Sequence, residues 1–180
     1  MARPGPTGRA NRGKGLEDAL EAQHDAYAAQ GFAFVKRQYP KVIKRGRRAG
    51  AAAGQALFAA SPLAVDFMGA LADGRGVAIE AKETAGETLR VDAVTEAQRA
   101  FMRTWPATGH LVVSLLIERR RRVYAVTFAS YIAAWDARVP PPGKRRPPGR
   151  GSFGLAWFTA NRPGRHPADG LRGVDWMVCV

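Results

Sequence analysis

With 180 residues, 46% of them hydrophobic, the chain has enough apolar material to close one compact core, and two domains are not expected. Its 28 Lys and Arg against 15 Asp and Glu leave a formal charge of +13, beyond what solubility needs, and favour a polyanionic partner, nucleic acid first; a composition rich in Arg, Ala, Gly and Pro accounts for part of that excess. The basic N-terminus has no apolar stretch behind it and no run of about 18 apolar residues occurs, so a soluble, cytoplasmic protein with no membrane partner is expected, and the single cysteine, Cys179, rules out an intrachain disulfide and a cysteine-clustered zinc site.

Residues 1–10 mix Pro, Gly and Arg and read as a disordered basic arm ahead of one domain over 11–180. Asn11 is placed to cap a helix whose positions Leu16, Ala19, Leu20, Ala26 and Tyr27 recur at helical spacing and which ends before Gly31. Phe32–Val35 reads as a strand. From Lys36 to Val65 there is no acidic residue, and Lys36, Arg37, Lys41, Lys44, Arg45, Arg47 and Arg48 make a basic projection over about 37–60, with Gly50–Gly54 either a flexible tract or a short helix. Leu63–Leu71 and Gly76–Ala81 form two strand-like segments about the turn Ala72-Asp73-Gly74-Arg75. Val94–Trp105 reads as a helix capped by Thr95, Leu111–Ile117 as a buried central strand, Arg119–Arg122 as the turn out of it, and Val123–Phe128 as a further strand. Tyr131–Trp135 is a short helix, 139–151 a stiff Pro/Arg-rich loop, and the aromatic segments Phe153–Phe158 and Trp176–Val180 read as edge strands or an interface. This order describes an α/β or α+β domain with a mixed sheet.

The chemistry concentrates at Val65-Asp66-Phe67 and Ile79-Glu80-Ala81-Lys82. Residues two apart in a strand share a face, so Glu80 and Lys82 project together, and a tight hairpin brings Asp66 alongside. Alone, Glu-x-Lys is a common surface triplet. Here two carboxylates stand in apolar sequence, where their repulsion calls for a cation. Mg²⁺, with Mn²⁺ as an alternative, suits hard oxygen ligands and would activate a phosphodiester toward water. Lys82 is then placed to orient or deprotonate that water, or to stabilise charge on the phosphorus centre; the sequence leaves these roles open. His24, His110 and His166 are far apart in sequence and lack metal-ligand spacing; His24 reads as helix surface and His110 as the entrance to a strand.

The strings Asn11-Arg12-Gly13-Lys14-Gly15-Leu16-Glu17, Val65-Asp66-Phe67 and Ala78-Ile79-Glu80-Ala81-Lys82-Glu83-Thr84 resemble the RecU family of Holliday junction resolvases, over about Asn11 to Phe128. The resemblance implies a restriction-endonuclease-like core, an α/β fold with a mixed central β-sheet flanked by helices, and a homodimer that nicks four-way DNA junctions with Mg²⁺ in recombination and repair. It implies that Asp66 and Glu80 bind metal, that Lys82 is the catalytic lysine, and that Glu17 on the first helix completes the site. Arg12 and Lys14 then join the seven basic residues of 36–48 as DNA contacts, with Arg119–Arg122 beside them. Gln98 stands where family members carry a glutamine and is placed with the DNA contacts, although no histidine precedes it. The segment after the first helix looks shorter than the family's stalk. Two alternatives follow: a phage or mobile-element nuclease cutting other branched or duplex DNA, and a non-catalytic junction-binding protein.

Overall fold

The protein is represented by a computed structural model describing residues 14–39, 42–45, 57–60, 65–105, 108–138, 151–164, 170 and 174–179, with backbone alone for 42–45, 57–60 and 178–179. The arm 1–10, the Asn11 cap, the tract 50–54, the loop over 139–150 and His166 lie outside the described residues.

Helix α1 (Lys14–Ala29) precedes β1 (Ala33–Arg37), and the basic segment carries β2 (Val42–Arg45) and β3 (Leu57–Ala60), which pair antiparallel with each other. Strands β4 (Phe67–Leu71) and β5 (Gly76–Glu83) form the expected hairpin: Gly74 takes φ +86° and the Asp73 carboxylate accepts the Arg75 backbone N–H at 3.0 Å. A crossover through β6 (Thr88–Arg90) and α2 (Glu96–Thr104) leads to β7 (Gly109–Ile117), which lies parallel to β5. β8 (Arg120–Thr127) runs back antiparallel, α3 (Phe128–Arg138) follows, and β9 (Ser152–Gly154) pairs with β6 ahead of α4 (Leu155–Ala160).

The main sheet has the order β1-β4-β5-β7-β8, so one parallel pair sits inside an otherwise antiparallel sheet. Both faces of β7 are covered, which is why its sequence is continuously apolar. One face carries α2, α3 and α4 over Leu111, Val113, Tyr124 and Val126; the other carries α1 over Val35, Phe67, Ile79 and Val112. This is the mixed, helix-flanked α/β architecture expected. No helix among the described residues is long and apolar enough to cross a membrane.

Three local expectations need correction. Arg119–Arg122 is not a turn: Ile117 faces Arg120, so the turn is Glu118-Arg119 alone and Arg120, Arg121 and Arg122 belong to β8. The aromatic tails are not edge strands beyond Ser152–Gly154, because Leu155–Ala160 is helical and Trp176–Cys179 is a 3-10 turn. The reason lies in burial: Phe153 and Phe158, five residues apart, are both enclosed in the core beneath α2, α3 and α4, whereas an extended strand would turn them to opposite faces, and Trp176 is enclosed in the core beneath α1. His24 is not on the helix surface; it lies 2% exposed on the stripe Leu16, Leu20, His24, Tyr27. Trp176 brings His24 and His110 together, with ring centroids 5.8 and 6.5 Å from its own, despite their separation in sequence.

The two-residue turn has Glu118 at φ 51° and Arg119 at φ 61°, both in the left-handed region that Asn and Gly tolerate best. Replacing the pair by Asn-Gly (E118N with R119G) is expected to raise unfolding stability by about 1 kcal/mol. An exposed Glu118–Arg122 pair lost in the change contributes little. A urea midpoint that does not rise would show that this turn carries no strain.

Candidate active site

β1, β4, β5, β7 and β8 bring the sequence-predicted acids and bases to one end of the sheet. The β4 start and the β5 end lie together because the two strands are antiparallel, and β7 delivers the arginines of the following strand to the same end because it parallels β5. β4 leaves the ladder at the Phe67–Ile79 pair. One step further, in a bend just before β4, Asp66 divides its groups: its carbonyl accepts the Gln38 N–H at 2.7 Å, and its Oδ2 accepts the Ala81 N–H at 2.8 Å. The side chain thus replaces a backbone partner where the strands part, which fixes the carboxylate against β5.

Glu80 follows the period of two and points with Ala78 toward the α2 and α3 face, while Ile79 and Ala81 pack beneath α1. It is fully buried. Its Oε1 accepts from the Gln98 amide at 2.7 Å and meets the Lys82 Nζ at 2.5 Å, whereas its Oε2 accepts from no donor and could hydrogen-bond to the Asp66 carboxylate only by carrying a proton itself. Burial and then the neighbouring Asp66 carboxylate push the Glu80 carboxyl up to about 8, against a smaller opposing pull from Lys82. A buried carboxylate with one oxygen saturated by donors and the other bare beside a second carboxylate is costly unless a proton or a cation lies between them.

Gln98 is therefore a residue of this site as well as a helix cap. Thr95 accepts the Gln98 N–H at 3.3 Å while the Gln98 Oε1 accepts the Thr95 N–H at 2.9 Å, so both ends of its amide are fixed. Sequence reasoning set it on the DNA surface. The Thr-x-x-Gln capping pattern locates it at the first turn of α2, but only the parallel pairing of β5 with β7 carries that turn over Glu80.

Glu17 does not join Asp66 and Glu80: it pairs with Arg37 at the end of β1, and among the described residues no three His, Cys, Asp or Glu form a metal-holding group. Arg37, expected as a DNA contact, has its guanidinium among Glu17, Asp18 (3.2 Å) and Glu21 (3.5 Å) of α1. Lys36 pairs with Asp25 at 2.9 Å on the exposed surface, and Lys14 is exposed at the helix start. Arg12, Lys41, Arg47 and Arg48 fall outside the described residues, and Lys44 and Arg45 are placed by backbone only on β2.

A buried glutamate with a half-buried aspartate and a lysine beside it, at one end of a mixed sheet, coincides with a family match: the RecU family, described as Recombination protein U, matches residues 11–158. The chain belongs to the RecU family. The match runs 30 residues beyond Phe128, where the sequence resemblance stopped, and takes in α3, the whole Pro/Arg-rich loop and most of α4. RecU membership makes the chain a Holliday junction resolvase of recombination by family, with the restriction-endonuclease-like core seen in its sheet. No curated protein matches the chain. Residues 159–180, including the buried Trp176, lie outside the RecU match.

Proposed function

We propose that this RecU protein cuts four-way DNA junctions by metal-dependent phosphodiester hydrolysis, with Asp66 and Glu80 holding Mg²⁺, or Mn²⁺ in its place. The observation that carries this reading is the bare, buried Glu80 Oε2 beside the Asp66 carboxylate. Two carboxylates suit a hard dication that keeps several waters and leaves room for phosphate oxygens. When bound, the ion would supply charge stabilisation and a more acidic water.

The remaining chemistry belongs to the chain. Gln98 and Lys82 hold Glu80 Oε1, leaving Oε2 as the oxygen available for a ligand. The Ala81 N–H holds Asp66 against β5. The Lys82 ammonium, 21% exposed at its side chain, is within reach of an incoming phosphate and would offset charge gathering there. DNA would lie across this end of the sheet, where Arg119 and Arg120 have no acidic partner among the described residues and the basic segment 36–48 emerges. A homodimer would set two such sites against two strands of like polarity. The cytoplasm, at the nucleoid, is the location this activity requires.

The test is incubation of a labelled mobile four-way junction, linear duplex and single strand with the protein, in Mg²⁺ and in chelator. Paired nicks in the junction alone, abolished by chelator, are the expected result. Cutting of plain duplex at equal rate would favour a general nuclease, and tight binding without products would favour an architectural protein.

Because Glu80 must lose its proton to bind a cation, apparent Mg²⁺ affinity should increase with pH, about tenfold per unit below about 8, and level off above it. The stability linkage has the opposite sign without metal: a carboxyl raised in the folded state from 4.5 to about 8 contributes fully below about 4.5, and that contribution is lost as pH rises toward 8. Calorimetric titration with Mg²⁺ at pH 6, 7 and 8 reads the first trend; affinity independent of pH would remove Glu80 from the ligand set.

A further inference from the structure

The sheet face that carries Glu80 and Lys82 is only partly covered. Helix α2 and the residue after it stand over β5: Gln98 rests on Glu80, and a Cβ built at Gly76 would lie 3.4 Å from the Trp105 ring. Toward β4 and β1 the cover thins, since Met68 and Ala70 are half-buried and Phe34 is 63% exposed. The register sets these side chains in line across the strands: Gly76 faces Ala70, which faces Phe34, and Ala78 faces Met68, which faces Lys36. Asp66 precedes Met68 by two residues, so the strip starts at the acidic pair and runs roughly 14 Å to Phe34. The Lys36 ammonium lies 5.5 Å from the Phe34 ring centroid, and its exposed pair with Asp25 at 2.9 Å is cheap to exchange for a phosphate.

We propose that this open strip is a subsite for an unpaired nucleotide, its base stacked on Phe34 above Ala70 and Met68 and its phosphate toward Lys36. An exposed aromatic, a low apolar floor, a cation beside the ring and no carboxylate on β4 between Asp66 and Asp73 suit a flat base on an anionic backbone. The size of the strip argues against a protein partner. Two strands of five residues offer a face of roughly 10 by 17 Å, a small fraction of the about 800 Å² per partner that a stable protein complex buries. For its place in the reaction the subsite rests on the cleavage site proposed above. At a branch point the strand to be cut leaves its complement, and a base a few nucleotides from the scissile phosphate is free to stack on Phe34. Bases within a continuous duplex are stacked on their neighbours and have no free face to offer. Phe34 is thereby a specificity residue that favours branched DNA.

The experiment measures binding of the full chain, in chelator, to a labelled oligothymidylate and to a blunt duplex of the same length, by fluorescence anisotropy. Phe34→Ala should weaken single-strand binding about tenfold and duplex binding by less than about twofold. Phe34→Trp, which keeps a stacking face, should bind at least as tightly as wild type, whereas Phe34→Leu, apolar but without one, should lose as much as Phe34→Ala. Ala70→Leu raises the floor and should weaken single-strand binding with the ring intact. Ultraviolet crosslinking of the oligothymidylate should map to the peptide that carries Phe34. Equal loss for single strand and duplex, wild-type binding by Phe34→Leu, or crosslinks confined to other peptides overturns the proposal. So does a change in sedimentation coefficient for Phe34→Ala, which would assign the face to a second copy of the chain. Phe34 is exposed, so its variants should keep the wild-type urea midpoint. Junction cleavage in Mg²⁺ separates the two readings: failure to cut, with single-strand binding still dependent on Phe34, sinks the cleavage reading, whereas cutting with binding indifferent to Phe34 sinks the subsite alone.

Discussion

Asp66→Ala is expected to reduce junction cleavage by about a thousandfold or more while leaving junction binding within a few-fold of wild type. The loss follows from removing the one carboxylate that stands beside the bare Glu80 oxygen, whereas phosphate contacts over the basic surface are untouched. Alanine also deprives the Ala81 N–H of its acceptor, so the cleaner variant is Asp66→Asn, which keeps an oxygen for that bond and loses the charge. The Asp66→Asn protein should bind junctions, fail to cut them, and, without metal at pH 8, resist urea at least as well as wild type. That last expectation arises because burial and then Asp66 are the two largest causes holding the Glu80 proton on, and removing the second relieves repulsion at that pH. Cleavage by Asp66→Asn at the original rate, measured on gels in single-turnover conditions, would remove Asp66 from the chemistry.

Trp176→Ala should cost about 3–5 kcal/mol of unfolding free energy, a large effect for a residue outside the RecU match. Its indole is fully enclosed and its Nε1–H donates to His24 Nε2 at 2.9 Å, edge-on to the Tyr27 and His24 rings. Asp175 beside it accepts from the Tyr27 hydroxyl, so the segment 174–177 fastens the C-terminal half of α1. Trp176→Phe keeps most of the packing and leaves the His24 nitrogen without its donor, for a smaller loss of about 1–2 kcal/mol. Burial lowers His24 to about 4, and a neutral ring is what the Trp176 donor requires. A His pKa depressed in the folded state gives a contribution complete above about 6.5 and lost as pH falls toward 4, so wild type should weaken over that window more than Trp176→Ala does. Urea unfolding of the three proteins at pH 7 and pH 5 checks both statements. A Trp176→Ala midpoint equal to wild type would mean that this segment does not hold α1.

The parts of this architecture readable from sequence were those governed by local pattern. The Asp-Gly hairpin, the capped α2 and the apolar run of β7 all depend on spacing within a dozen residues and stand where expected, and of the α1 stripe Leu16, Leu20 and Tyr27 are buried as expected while Ala19 is exposed and His24 takes a buried place. The placement of Glu80 and Lys82 together on β5, with Asp66 in the bend ahead of the neighbouring strand, also followed from a hairpin and a period of two. What escaped depended on long-range partners. β6 and β9 are three residues each and exist because they pair with one another across some 60 residues. His24 looked like helix surface because nothing local announces Trp176, and Arg37 looked like a free cation because the acids that take it belong to another element. Gln98 was noticed for its position in the RecU pattern but assigned to DNA, since contact with Glu80 needs a crossover whose geometry no local pattern encodes.

That crossover also sets an order of assembly. β4 and β5 can zip as a local hairpin, but Gln98 reaches Glu80 only once β7 has docked alongside β5, a pairing between residues about thirty positions apart. A chain still emerging during synthesis would therefore carry Asp66 and Glu80 with neither their saturating donor nor their dry enclosure, and would be a poor trap for divalent ions until the central strand is home. Competence to cut DNA would thus appear late, after the sheet is complete, which protects nucleic acid near the nascent polypeptide from a half-made blade.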